Sequence, residues 1–571
     1  MPVASFLGSH SDPQTQIMSI MHSKTRLLFL ALTCLACAPV PPAGIITPVG
    51  PTTAGITPAD LRLRMGIVAD DSMMGRESGT IYNDKATDYI AAEAARIGLR
   101  PAGENGSFFQ TVPLVRRAFS PGTLTVGGQT FTLWQDFLPR DQGPGMRQIS
   151  GAPTVFGGSW AGDATGLLPS ADAVGKVVVI RVPQGWQANR ITLTGHYRNA
   201  AGVIVESLNS IPQPVQSALA QVAVGFAPEG EPTPLPAFMY GTQALTQRIF
   251  GRPTSVLTVG ATGEPLSGQL VLEQSAAPGR RNVVAVIEGT DPALRGQYVA
   301  FGSHNDHVGF TRNPVDHDSL RAFNRVVRPQ GADDPMRQAT AAEWPRIRAI
   351  LDSLRAVRPA RPDSIYNGAD DDGSGTVAML EAAEAFVSAA TPPRRSLLFI
   401  WHAAEEFGLW GARYFSDNPT VPRESIVTMI NVDMIGRGRA IDVEGGGPGY
   451  VQAIGSRRLS SELGRLVDEV AGTMNPRIEL DYQYDAAGHP QQFYCRSDHY
   501  MYARYGIPVA FFSTGSHPDY HQLTDEPQYI DYDKLALVTR FLHRIGERLA
   551  SQPAPPVVDQ PRPDPNAPCV Q

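Results

Sequence analysis

Five short runs in the second half of this chain are apolar almost throughout: 283–287, 298–303, 397–402, 426–432 and 509–513. A strand with one face in water alternates apolar and polar residues, and a strand covered on both faces has no such need. Between and after these runs lie segments with helical periodicity, at 374–390, 406–415, 458–473, 497–505 and 532–549. Buried runs separated by helices demand an α/β fold, a mainly parallel or mixed sheet with helices on both faces. In such a sheet, side chains distant in sequence meet at the carboxyl ends of the strands.

At 571 residues the chain is longer than one hydrophobic core usually supports. Residues 120–275 differ in texture, with short β runs such as 177–180, frequent Gly and Pro, and no cluster of acids and histidines. They read as a β-rich insert that divides the α/β domain into 58–119 and 276–550. In the first part, Ala86, Ile90, Ala94 and Ile97 predict a helix from Asn83 or Asp84 to Ile97, closed by Gly98. Residues 311–365 interrupt the strand–helix alternation. They predict an excursion near the mouth of a site, with a helix at 341–356.

The ends of the chain read differently. Lys24 and Arg26 precede an apolar run, and Ala36-Cys37-Ala38 fits a small-x-small cleavage site, so 1–38 reads as a signal peptide. The run is too short to span a bilayer, and Met18 or Met21 are alternative starts. Residues 39–57 read as a Pro/Gly/Thr-rich linker and 551–571 as a disordered Pro-rich tail. The expectation is an exported protein, periplasmic or secreted, with a lipid anchor on Cys37 as the lesser alternative. Cys495 and Cys569 form no disulfide framework, and whether they pair is left open. A net charge of −7 and the lack of a basic run argue against a nucleic-acid partner.

Acids and histidines stand where the strand ends should converge. His304 and Asp306 follow the run at 298–303, Glu405 and Glu406 follow that at 397–402, and Asp433 follows that at 426–432. His521 lies in the loop beyond 509–513, and Asp371 sits in a Gly/Asp-rich turn before a helix. Imidazole and carboxylate without cysteine suit zinc. Two ions roughly 3.5–4 Å apart need about five ligands when one carboxylate bridges. His304, Asp371, Glu406, Asp433 and His521 supply that set. Two adjacent buried glutamates disfavour each other, which a division of labour resolves: Glu406 as ligand, Glu405 as proton carrier. Isolated His196, His402, His489 and His543 read as structural or simply exposed. His307, His317, His499 and His517 lie near the motifs without joining the set.

The stretches SHNDHVG, NGADDDGSG, AAEEFGLWGA, NVDMIG and HPDYHQLTDE resemble the M28 family of zinc metallopeptidases. NVVAVIEGTDP, GIVADDSMMGRESGT and SADAVGKVVVIR resemble members that carry an inserted protease-associated domain. The resemblance implies a peptidase with two zinc ions per chain bridged by Asp371, with His304 and Asp433 on one ion and Glu406 and His521 on the other. It implies Glu405 as general acid/base, Asp306 as the carboxylate orienting the His304 ring, and Tyr520 as a donor to the substrate carbonyl. The substrates implied are peptides cut at a chain end, by an aminopeptidase rather than a carboxypeptidase. The alternatives are a glutamate-carboxypeptidase-like activity, a single-zinc glutaminyl-cyclase-like acyltransferase and a non-catalytic binding ectodomain. Oligomeric state is open.

Overall fold

The computed structural model describes residues 52–571 except 144, 184–187, 221–222 and 228–233. The signal peptide and most of the linker expected from sequence therefore lie outside the described residues. Two compact units appear. One comprises the described residues up to Val112 together with Gly279–Gln571, and the other is Pro113–Pro278.

The first unit is built on a mixed sheet. Its strands in chain order are β1 (Arg100–Pro101), β2 (Phe109–Val112), β3 (Arg280–Ile287), β4 (Tyr298–His304), β5 (Ser396–His402), β6 (Ile426–Val432), β7 (Tyr450–Ile454), β8 (Glu479–Asp481) and β9 (Val509–Ser513). The spatial order is β1–β3–β5–β4–β6–β9–β7–β8, with β2 also on β3. The four central strands β5, β4, β6 and β9 run parallel, while β3 and β7 pair antiparallel at their flanks.

Both faces are covered, which is why these strands are apolar without alternation. Leu397, Phe399 and Trp401 of β5 join one core with residues of the helices Pro58–Val68, Ile81–Arg96, Gly373–Val387, Ser461–Thr473 and Tyr532–Ser551. Leu398 and Ile400 join a second core with Ala412 and Phe415 of Trp410–Asp417 and with Tyr502 and Ala503. The first helix was not read from sequence, and the linker end packs with it. The Thr57 side chain caps Pro58–Val68, and Thr52 donates to Glu384 at 2.6 Å.

The expected helix at 406–415 starts later, at Trp410. Ala404 and Leu409 hold φ of 55° and 63° and Gly408 a φ of 110°, so Glu405 and Glu406 lie on a looped segment. The helix at 341–356 is found as Trp344–Arg355. Among the described residues, no helix is long and apolar enough to cross a membrane.

The second unit holds an eight-stranded sheet and a three-stranded one. Its boundaries correct those read from sequence, 120–275. Leu114–Phe119 pairs with Ala223–Phe226 and Leu272–Ala276, so the strand assigned to the first domain belongs to the insert. The unit carries its own cores, around Val177, Val179, Ile204 and Met239 on one side and Val178, Ile180 and Val203 on the other.

The disordered tail is also corrected. Beyond Ser551 the chain lies against the first unit: the Ser461 amide donates to Asp559 at 2.9 Å, and the Tyr494 amide donates to Gln571 Oε1 at 2.9 Å. Cys569 is bonded to Cys495, with their Cα atoms 5.7 Å apart. Proline-rich composition removes main-chain donors and apolar burial, but the disulfide and side-chain caps replace what a core would supply. Cys569→Ser is expected to lower stability by about 2–4 kcal/mol, because the bond closes a long loop of the unfolded chain. Denaturant unfolding of the oxidised protein and the variant checks this. Equal midpoints would show that the bond adds nothing.

A candidate two-metal centre

The five residues read as ligands converge at the carboxyl ends of the parallel strands. His304 closes β4, and its Nδ1 lies 3.0 Å from the Asp306 main-chain oxygen. A proton on Nδ1 leaves the Nε2 lone pair directed at Asp371 Oδ1, 3.1 Å away, and Asp433 Oδ1, 3.7 Å away. The group holding this ring is therefore the Asp306 carbonyl. The Asp306 carboxylate is 3.9 Å from Nδ1 and instead accepts the Glu405 amide at 3.1 Å.

Asp371 stands in the turn before Gly373–Val387. The next residue, Asp372, caps that helix by accepting the Gly375 amide, and its other oxygen accepts the His304 amide. Asp525 holds the turn from the opposite side, accepting the amides of Asp370 and Asp371 at 3.0 and 3.1 Å. Gly368 in the same turn has φ +56°, and a Cβ there would sit 2.5 Å from the His307 ring. The buried guanidinium of Arg76 donates to the carbonyls of Val68, Asn367 and Gly368. Asp525 and Arg76 lie in the quoted stretches, but neither shows by residue type that it fixes this turn.

The second oxygen of Asp371 faces another group. His521 Nε2 lies 2.9 Å from both Asp371 Oδ2 and Glu406 Oε2. His307 Nδ1 is 2.7 Å from Glu406 Oε1, so a histidine left outside the sequence-derived set belongs to this cluster. Its spacing from His304 was the available signal. Asp433, just past β6, accepts the Ser497 hydroxyl at 2.8 Å. Two groups of side chains thus present atoms at metal-ligand spacing: His304, Asp372 and Asp433, and His307, Asp371, Glu406 and His521.

The chemistry of this donor set fits cations. His304 Nε2 and Asp371 Oδ2 are buried without a well-formed hydrogen bond. Burial, opposed by the His304 charge, pushes Asp306 up to about 7. Glu405 is driven well above the usual carboxylate range, chiefly by burial and further by Glu406 and Asp433. Against its own burial, the neighbouring His304 and His521 hold Asp371 well below that range. Such a crowd of buried carboxylates is costly unless positive charge lies among them.

The pocket beside this cluster is lined by Glu405, Asp433, Met434, Phe493, Arg496, Phe511, Ser516, Tyr520 and His521. The Tyr520 hydroxyl lies 3.2 Å from Arg496 Nη2. A further buried group, His317, Asp363 and Glu526, joins the excursion to the segment after His521, with His317 Nε2 3.0 Å from Glu526. Arg361 already pairs with Glu526, and Asp318 with the His317 ring.

Comparison with known proteins agrees with the motifs. Residues 282–545 match the model of peptidase family M28. Leucine aminopeptidase 1 of Penicillium rubens is 29% identical over 202 residues, covering 33% of this chain and 48% of that protein. Leupeptin-inactivating enzyme 1 of Streptomyces exfoliatus is 31% identical over 175 residues, 29% of this chain and 33% of that protein. The chain thus spans about half the length, or less, of these curated relatives. Among solved structures, an aminopeptidase from Aneurinibacillus sp. strain AM-1 aligns over 88% of this chain and 97% of its own, at 16% identity and TM-score 0.43. Residues 282–545, a little under half of the chain, thus resemble peptidase family M28.

Proposed function

We propose that this protein is an exported aminopeptidase that uses two zinc ions held by His304, Asp371, Glu406, Asp433 and His521. The observation that carries the reading is the position of one carboxylate. Asp371 turns Oδ1 to His304 and Oδ2 to His521, so a single side chain serves both groups. Two bound zinc ions would supply a water of lowered pKa and a Lewis acid for the scissile carbonyl.

The chain's own groups carry the proton and hold the substrate. Glu405 lines the pocket, and its amide is fixed by Asp306. Its raised pKa suits it to accept a proton from the attacking water and return it to the leaving amine. The Tyr520 hydroxyl lines the same pocket and would donate to the oxygen that gains charge during attack. Arg496 is already engaged by Asp333, at 2.9 Å, so it is no free grip for a substrate's terminal carboxylate. This favours an amino-end cut over a carboxyl-end one.

Export is supported by the Cys495–Cys569 bond, since disulfides persist in oxidising compartments. We read the Pro113–Pro278 unit as the protease-associated insert.

The test is elemental analysis of protein purified without chelator. A ratio of about two zinc ions per chain is expected, from the two-metal spacing of the donors. A ratio of one with full peptidase activity would favour the single-zinc reading.

A further inference from the structure

We propose that the excursion at 311–365 supplies Asp333 as a positioning residue. In this arrangement Asp333 locks Arg496, and Arg496 in turn aims the Tyr520 hydroxyl at the oxygen that becomes anionic in the reaction. The inference rests on the hydrolytic role of Tyr520 proposed above and gives the excursion a part in it.

The excursion docks directly on the residue it serves. Its Gly331–Asp333 turn donates the Ala332 amide to the Tyr520 carbonyl at 3.0 Å. Gly331 has φ +58°, and a Cβ there would sit 2.5 Å from that same carbonyl oxygen, so only glycine allows the approach. Asp333 then meets Arg496 and Ser516 of the pocket lining with both oxygens engaged. Oδ1 accepts Arg496 Nη2 at 2.9 Å, while Oδ2 accepts Nη1 at 3.3 Å and the Ser516 hydroxyl at 2.6 Å. Arg496 Nη1 also lies 3.3 Å from the main-chain and side-chain oxygens of Gln491.

The donor count then decides what Arg496 does. Held as a fork on Asp333, braced by Gln491 and lying over the Phe493 ring, the guanidinium makes one further hydrogen bond, to the Tyr520 hydroxyl 3.2 Å from Nη2. That oxygen must accept, because a guanidinium only donates. A hydroxyl that accepts from a cation turns its own hydrogen away and becomes a stronger donor. Its free direction is the pocket it shares with Glu405, Asp371 and His521. Without Asp333 the fork is gone, Gln491, held by Gln330 at 2.7 Å, braces the guanidinium from one side alone, and the hydroxyl loses its direction.

Asp333 itself does not reach the reacting atoms, so its test must separate positioning from general support. The variants are Y520F, D333N and D333N/Y520F, each assayed for kcat, KM and zinc content. Calorimetry adds the affinity for a phosphonate dipeptide analogue of the tetrahedral species. Y520F is expected to lower kcat about 100-fold, as loss of an oxyanion donor does. D333N is expected to lower kcat about 10-fold, the scale for a partner that orients an acting group. It should also weaken phosphonate binding by a similar factor, with KM and zinc content nearly unchanged. In the Y520F background, D333N should add less than about twofold, since both changes remove one coupled interaction.

Full additivity of the two changes would overturn the proposal, because Asp333 would then act without Tyr520. So would a D333N effect confined to KM, a loss of zinc in D333N, or wild-type kcat in Y520F. Failure of the metal-hydrolysis reading shows separately, as wild-type turnover that survives chelation.

Discussion

Glu405→Gln is expected to lower kcat by about 10²–10⁴-fold, the usual contribution of a positioned proton carrier, while zinc content stays at the wild-type ratio. The side chain lines the pocket beside Asp371 and Asp433, yet it joins neither group of atoms at metal-ligand spacing. Its neighbour Glu406 does join one, with Oε2 2.9 Å from His521 Nε2. Glutamine keeps the shape and the amide contact to Asp306 but cannot take a proton from water. Burial, reinforced by Glu406 and Asp433, drives Glu405 above the usual range, which is the direction a base working near neutral pH needs. The checks are steady-state kinetics on a peptide amide and elemental analysis of the same sample. Wild-type kcat, or a parallel loss of zinc, would remove Glu405 from the role of proton carrier.

Asp371→Asn should have the second large effect, on metal and activity together. Asp371 turns one oxygen to a histidine of each group, Oδ1 to His304 at 3.1 Å and Oδ2 to His521 at 2.9 Å. An amide offers one oxygen and no charge, so it can no longer join both ions while offsetting them. Zinc content should fall from about two per chain to one or fewer, since a bridging ligand serves both ions. Activity should drop well beyond the ~10–100-fold cost of losing an outer partner. Zinc counted after gel filtration, with activity on the same fractions, decides the matter. Retention of both ions and of turnover would show that Asp371 does not bridge.

Much of this was legible in the residues because the physics is local. Each central strand is apolar throughout because successive side chains enter two cores, Leu397, Phe399 and Trp401 on one side and Leu398 and Ile400 on the other. That pattern announced a covered sheet. The placement of His304, Glu406 and Asp433 just after such runs announced where ligands could gather. The alternation failed where structure depends on partners instead of period. The last two strands at one end of the sheet, Tyr450–Ile454 and Glu479–Asp481, were not recognised, nor was the helix Pro58–Val68. The three-residue strand Glu479–Asp481 has too few positions to show a period.

Residue type and spacing by themselves carried the α/β class and proposed the β-rich unit and the five-residue donor set. Hydrophobic period and donor chemistry are properties that a linear chain carries without folding. Tertiary structure decided what depends on distance. It brought His307 to Glu406, replaced the Asp306 carboxylate by its carbonyl as the partner of His304, and moved the insert boundary to Pro113. It also fastened a proline-rich tail through a bond between residues 74 apart. It set Asp333 of the excursion against Arg496, 163 residues away. Charge pairs across such separations leave no periodic trace, because only the closed fold fixes which side chains share a few ångströms.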